Sequence, residues 1–388
     1  MSKNHCVKIL KQMETFYQTR FAEWNRLYED LKLSNRHCAV LNKYYPFDTE
    51  TFLNTENTSQ FHLRSTATSK HEIKIREDES IAKYFLTEGH NILPSLESSS
   101  KPYWVLKSDV ESNEGIVTLQ RIVKNTCGRK LNNARLLFSD FFKSPYVFSK
   151  NKILPYYLLD LSSLLPVLGL EIQPDDRVLD MCAAPGGKTV AIMQFLSLKG
   201  QLVSNDVTKG RFNRLKKVIK EYLPLHNTHK SNVTITNWDG QQFGTEEVQM
   251  FDKVLVDAPC SSERHVIQKH FQYGGWSVKK MNENAKLQVI LLLSALKTVK
   301  PGGIVVYSTC SISPLENDEV IDKVVQITCQ QKDILFAVDD TCSLIDSTIN
   351  QLAEGTFNYL KTRHGILVLP SECCNWGPMY VSRIFRIT

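Results

Sequence analysis

From residue 177 onward, short runs of aliphatic and β-branched residues alternate with longer amphipathic stretches. Strands separated this way are not hairpin partners. They pair in parallel through helical crossovers that cover both faces of the sheet. The pattern predicts strands at 177–181, 201–205, 232–236, 251–257 and 303–308, with helices at 187–198, 209–222, 281–299 and 315–329. Only the third strand lacks a convincing following helix. Residues 151–388 therefore read as a Rossmann-like α/β domain. Two extended runs at 365–370 and 378–387 would add an antiparallel hairpin to the sheet edge.

The first 150 residues differ. Apolar residues from Ile9 to Leu31 recur at three- and four-residue steps, so 8–45 reads as an amphipathic helical region. Residues 54–80 and 95–101 are polar and read as loops or linkers. Residues 1–150 are thus expected to form a mainly helical accessory region. Ten cysteines occur without paired C-x-x-C knuckles, which favours free thiols and no metal site. The most apolar stretch, 158–172, is broken by Asp160, Pro166 and Glu171, so no membrane span is expected. A net charge of +6 suits a polyanionic partner but is too modest to prove one. Lys3, Lys8 and Lys11 before the first acid fit either a mitochondrial targeting segment or a basic helix start.

In an open α/β sheet, ligands lie beyond the carboxyl ends of the strands. The first strand runs into Cys182-Ala-Ala-Pro-Gly186-Gly187-Lys188-Thr189, whose small residues let backbone approach a ligand at a helix start. Asp206 ends the second strand, where a carboxylate would hold a ribose diol, and Arg211 would steady Asp206 or contact the cofactor. Asp239 and Gly240 follow the third strand and would sit beside an adenine. Each aspartate could instead cap the next helix. The turn is not G-x-G-x-x-G, which counts against a dinucleotide oxidoreductase. The fourth strand delivers Asp257-Ala-Pro-Cys260, and the fifth delivers Ser308-Thr309-Cys310. One buried cysteine is ordinarily a core residue; two at strand ends on the cofactor edge suggest nucleophilic chemistry.

Together, Cys182-Ala-Ala-Pro-Gly-Gly-Lys188, Asp257-Ala-Pro-Cys260 and Thr309-Cys310 resemble the Sun (Fmu/RsmB-like, NSUN) family of RNA cytosine-C5 methyltransferases. The likeness runs from about Tyr156 to the C-terminus. It implies a class I fold, S-adenosyl-L-methionine as cofactor, Cys310 as the nucleophile at cytosine carbon 6, and Cys260 assisting product release. Gly186, Gly187, Lys188, Asp206, Arg211, Asp239 and Asp257 would line the cofactor and base pocket. Asp257 would hold N3 and the exocyclic amine of the base.

Residues 156–166, 254–260 and 376–380 are most similar to the mitochondrial members, which implies a mitochondrial location. Trp238-Asp239-Gly240, Glu263-Arg264-His265 and Arg386-Ile387-Thr388 look like the ribosomal-RNA branch; 41–43 and 45–47 look like the mitochondrial tRNA branch. The expected substrate is mitochondrial small-subunit rRNA, with mitochondrial tRNA as the alternative and no DNA. The resemblance also suggests a partner of the mitochondrial transcription termination factor family. A methyltransferase for small molecules or proteins leaves the paired cysteines unexplained, and a non-catalytic mitoribosome assembly factor would not need Cys310. Basic runs at 124–130, 143–152, 209–220 and 264–280 lie within or beside Phe138, Phe141, Phe142, Phe148, Phe271, Tyr273 and Trp276, a mixture suited to single-stranded RNA.

Overall fold

The computed structural model describes residues 3–42, 44, 59–62, 74–75, 103–107, 135–138, 153–223, 232–270, 276–331, 334–339, 357–372 and 375–388. Helices α1 (Lys3–Gln18) and α2 (Trp24–Lys32) precede strands β1 (Cys38–Leu41), β2 (Ser59–His62), β3 (Lys74–Ile75), β4 (Tyr103–Lys107) and β5 (Arg135–Phe138). Then come β6 (Tyr156–Leu159), α3 (Leu165–Gly169), β7 (Arg177–Asp180), α4 (Gly187–Phe195), β8 (Gln201–Asn205) and α5 (Lys209–Tyr222). They are followed by β9 (Val233–Thr236), α6 (Phe243–Glu246), β10 (Phe251–Asp257), α7 (Glu263–Gln268), α8 (Val278–Thr298), β11 (Val299–Thr309) and α9 (Asp318–Gln331). The chain closes with β12 (Phe336–Asp339), β13 (Asn358–Lys361), β14 (Ile366–Leu369) and β15 (Met379–Arg386).

The main sheet orders its strands β9-β8-β7-β10-β11-β15-β12, with β4 and then β3 beyond β12. Strands β7 to β11 pair in parallel. Successive side chains feed opposite faces, as pleating requires. Val178, Leu255 and Val306 enter one core, while Leu179, Val254, Val256 and Tyr307 enter the other. All five expected strands form, and the third is followed only by a short 3₁₀ turn and the four-residue α6.

The C-terminal hairpin does form, but β15 does not lie at the edge. It inserts between β11 and β12, antiparallel to both. Every residue of β15 is buried. Val381 and Phe385 pack in one core, and Tyr380 and Ile384 in the other, so the strand is apolar on both faces and needs neighbours on both sides.

Among the described N-terminal residues the helices are α1 and α2, and residues 38–41, expected in a helix, form β1 between β5 and β6. The helices have no separate core. Ile9, Met13, Tyr17, Trp24, Leu27 and Leu31 are buried with Ile267, Trp276 and Met281 on one face of the main sheet. A boundary near 150 therefore does not divide these helices from the α/β core. The runs at 124–130 and 143–152, with Phe141, Phe142, Phe148, Phe271 and Tyr273, lie outside the described residues.

Candidate active site

The carboxyl ends of β7, β8 and β9 are tied together by one buried amide. Asn205 Nδ2 donates to the Met181 and Trp238 carbonyls at 3.1 and 3.0 Å, while its Oδ1 accepts from Trp238 N at 2.8 Å. Beside it, Asp206 Oδ2 accepts from Ala184 N at 3.3 Å and Arg211 Nε at 3.0 Å, and Oδ1 accepts from Thr208 N at 3.0 Å. Arg211 Nη2 also donates to the Ala184 carbonyl at 2.7 Å, locking the loop after β7 to the start of α5. Arg211 therefore steadies Asp206, one of the two roles expected of it.

The loop's glycines answer first to packing. Gly186 has φ +117°, in the left-handed region, beside Val218 and Leu215 of α5. A Cβ on Gly187 would come within 2.8 Å of Leu159 Cδ1 and Tyr157 Cε1. Gly240 would bring one within 2.6 Å of Leu291. Asp239 accepts from Gln241 N at 3.1 Å and so caps the 3₁₀ turn after β9. A carboxylate at each of two adjacent strand ends still supplies the acceptors that a ribose diol and an adenine amine require.

Across the edge, Lys188 Nζ meets Asp257 Oδ2 at 2.8 Å and Ser308 Oγ donates to Asp257 Oδ1 at 2.9 Å. Burial alone would discharge the Lys188 ammonium, but the Asp257 carboxylate outweighs it and the net shift is upward. The Asp180 carboxyl is fully buried, accepts from Thr189 Oγ1 at 2.7 Å, and is pushed up to about 7 by that burial. Its second oxygen, Oδ1, has no partner among the described residues.

The two strand-end thiols meet. Cys260 Sγ lies 3.1 Å from Cys310 Sγ, and Ser262 Oγ lies 3.0 Å from Cys310 Sγ. Hydrogen bonding from Cys260, then from Ser262, lowers the Cys310 thiol below its ordinary value against the opposing effect of burial, and Lys188 adds to the lowering. Donating that bond, and then burial, raises Cys260. The pair is thus polarised, Cys310 being the thiol that gives up its proton more readily and Cys260 the one that keeps it. Cys182, in the loop after β7, is held well up as a neutral thiol by burial.

Two buried glutamates brace these loops. Glu316 accepts from Ser261 N at 3.1 Å and Asn284 Nδ2 at 2.9 Å, steadying the residue next to Cys260. Glu263 Oε1 accepts from Ser311 Oγ at 3.1 Å and Oε2 from Ile312 N at 3.2 Å, just beyond Cys310. Tyr17 of α1 donates to the same carboxylate at 2.6 Å.

All the expected catalytic and cofactor residues lie on this edge, from the Cys182–Lys188 loop to Cys310. Sequence reasoning does not single out Ser262, Asp180 or Glu316, and it gives Ser308 and Glu263 no role in the site. Ser308 and Asp180 lie within strand-end motifs, where their position is a usable signal, whereas the glutamates carry no local one. Two expected RNA contacts are internal instead. Arg264 donates to the Gly377 and Leu33 carbonyls, and Trp276 is 2% exposed against Tyr17. An uncovered positive charge or indole would cost more at the centre of this three-element junction than at its surface.

An open sheet of this order, with β15 inserted antiparallel between β11 and β12, is the architecture of a class I methyltransferase, and the cysteine pair narrows the class further. The family model for the 16S rRNA methyltransferase RsmB/F matches residues 167–356. The chain is 32% identical over 324 residues to the 5-cytosine rRNA methyltransferase NSUN4 of Xenopus tropicalis, covering 79% of this chain and 77% of that protein. It is 41% identical over 238 residues to the mitochondrial tRNA (cytosine(34)-C(5))-methyltransferase of Danio rerio, covering 60% of this chain and 61% of that one. In fold it is similar to the crystal structure of NSun6 from Pyrococcus horikoshii with SFG, with TM-score 0.61, 16% identity, and 97% and 98% of the two chains covered. The chain belongs to the Sun/NSUN family. It spans only about three fifths of the length of several other curated relatives it matches.

Proposed function

We propose that this protein is an S-adenosyl-L-methionine-dependent RNA cytosine-C5 methyltransferase of mitochondria, acting on small-subunit rRNA. The observation that carries the reading is the polarised pair of Cys310 and Cys260, 3.1 Å apart, beside the Lys188–Asp257–Ser308 cluster. Carbon 5 of cytosine is too weak a nucleophile to take a methyl group unaided. Addition of the Cys310 thiolate to carbon 6 makes carbon 5 enamine-like as N3 takes up a proton, and Asp257 accepts from N3–H and the exocyclic amine. Methyl-group donation at carbon 5 is the chemistry that S-adenosyl-L-methionine supplies when bound. Its residues would be Asp206, Asp239, Gly240 and the 182–188 loop, with Arg211 fixing Asp206. Loss of the carbon 5 proton and expulsion of the Cys310 thiolate then restore the aromatic ring. Cys260 assists that release.

Relatives named for rRNA and for tRNA both match, so mitochondrial tRNA is the second substrate reading; the longer aligned span favours rRNA. A protein partner of the mitochondrial transcription termination factor class would supplement RNA affinity, and copurification from mitochondria tests for it. The catalytic reading is tested with Cys310→Ala, expected to abolish methylation, and Cys260→Ala, expected to accumulate an RNA adduct that survives denaturing electrophoresis. Full turnover by Cys310→Ala would overturn it. Bisulfite sequencing of mitochondrial RNA with and without the protein distinguishes rRNA from tRNA, and an unaltered map would favour the assembly-factor reading.

A further inference from the structure

Helix α1 has two distinct faces. Ile9, Met13 and Tyr17, at four-residue spacing, are buried against the α/β core, so the helix is an integral part of the fold. The opposite face carries Lys8, Lys11 and Thr15, all exposed. Between that face and the start of α8 runs an open groove of about 970 Å³, lined by Lys8, Lys11, Arg20 and Lys279 together with Val7 and Val278. Among the described residues, no acid lines it. Two carboxylates interact with its cations from outside the lining: Glu283 lies 4.0 Å from Lys279 in an exposed pair, and Glu319 acts on Arg363 and then on Arg20. Val7 and Val278, on opposite walls of the groove's lining, are 52% and 39% exposed, and the Phe16 ring also borders the groove.

We propose that this groove docks the sugar-phosphate backbone of the RNA substrate, the lysines meeting phosphates while Val7 and Val278 take ribose and base surface; the Phe16 ring already carries the Arg20 guanidinium 3.7 Å from its centre. The proposal rests on the RNA reading above and names the surface that serves it. Charge complementarity selects the occupant: a cationic trough with apolar patches and no lining carboxylate among the described residues suits a single strand, whose bases are free to turn toward the protein. Position supports it as well. Phe16 packs edge-on against Trp276, and its neighbour Tyr17 hydrogen-bonds Glu263, whose carboxylate holds Ser311 and Ile312 directly after Cys310. A strand lying in the groove is therefore one helix away from the nucleophile's loop.

The test compares the full chain with a variant carrying Lys8→Gln, Lys11→Gln and Lys279→Gln. All three side chains are exposed, so folding is checked simply by an unchanged melting temperature. Affinity for a short fluorescein-labelled, cytosine-containing single-stranded RNA is measured by anisotropy across a salt series, alongside methylation kinetics. The slope of log affinity against log salt should flatten by about 0.7 for each phosphate that the variant no longer neutralises. KM for RNA should rise at least tenfold with kcat at saturating RNA unchanged. Wild-type slope and KM in the variant would overturn the groove while leaving the methyltransferase reading intact. RNA binding that flattens as expected in a protein that methylates nothing would keep the groove and defeat the catalytic reading. Failure of the wild-type chain to bind the RNA would overturn both.

Discussion

Tyr17 Oη donates a 2.6 Å hydrogen bond to Glu263 Oε1 across 246 residues of sequence. The bond joins the N-terminal helix to the loop that carries the nucleophile, because the same carboxylate receives Ser311 Oγ and Ile312 N. Tyr17→Phe removes only that donor and, at pH 8 and above where the carboxyl is ionised, should cost about 1.5–3 kcal/mol, the usual range for a bond to a charged group. The denaturation midpoint measures this. With the Cys310 loop less firmly held, kcat should fall more than KM rises. A variant with unaltered stability and kcat would show that α1 merely lies against the domain.

The Glu263 carboxyl itself is pushed up to about 7, chiefly by burial and then by Glu316. Its folded pKa is above its unfolded value, so the stability it contributes by holding a proton is complete below about 4.3, the ordinary value. That contribution is lost as pH rises through about 7. Glu263→Gln cannot titrate. Its unfolding free energy should vary less than wild type's between acid pH and pH 8, as read from urea denaturation series. Parallel curves for the two proteins would refute the assignment.

Ser262 offers a cleaner probe of the nucleophile, since it contacts Cys310 Sγ at 3.0 Å without belonging to the thiol pair. Cys310 is lowered by Cys260 first and Ser262 next, and its thiolate is the reactive form. Ser262→Ala should therefore shift the alkaline-rising limb of iodoacetamide labelling at Cys310 to higher pH. The same shift should appear in kcat/KM for methylation. Labelling that titrates as in wild type would exclude Ser262 from setting the thiolate.

Much of this arrangement is legible in the residues because local chemistry writes it. Strand ends from β7 to β11 follow from runs such as Val178-Leu179 and Val254-Leu255-Val256, and each motif after them falls on one sheet edge because parallel strands share a direction. What the sequence hides depends on contacts between distant residues. Nothing near Glu263 announces that Tyr17 will reach it, nor does Arg264 reveal that it is bonded to Leu33 and Gly377. Similarly, the amphipathic run through Cys38–Leu41 becomes β1 because β5 and β6 supply its two hydrogen-bonding edges.

Lys188 and Asp257 form an ion pair at 2.8 Å, and Lys188 is the more buried side chain of the two. Lys188→Met leaves Asp257 without its cation, with Ser308 as its remaining side-chain donor among the described residues. Because Asp257 is assigned to the base and Lys188 helps hold the Cys310 thiolate, kcat should fall about 10²- to 10³-fold, the range for losing one preorganised polar group. Ser308→Ala should cost less, since the ion pair survives. Equal losses in the two variants, measured by single-turnover methyl transfer, would mean that geometry at Asp257 rather than charge is limiting.

The glycines of the 182–188 loop test whether packing or ligand contact sets their identity. Gly187→Ala would drive a Cβ to 2.8 Å from both Leu159 and Tyr157, in a part of the molecule where β6 and α4 are already closely packed. Overpacking of this kind costs about 1–3 kcal/mol. Gly210, in the first turn of α5, has open space for 4 Å around the point where a methyl group would stand, and Ala there should instead be neutral or stabilising by up to about 1 kcal/mol. Calorimetric melting of the two variants separates the explanations. If Gly187→Ala melts like wild type yet no longer binds S-adenosyl-L-methionine in a titration, the loop's small residues are there for the ligand and the packing argument fails.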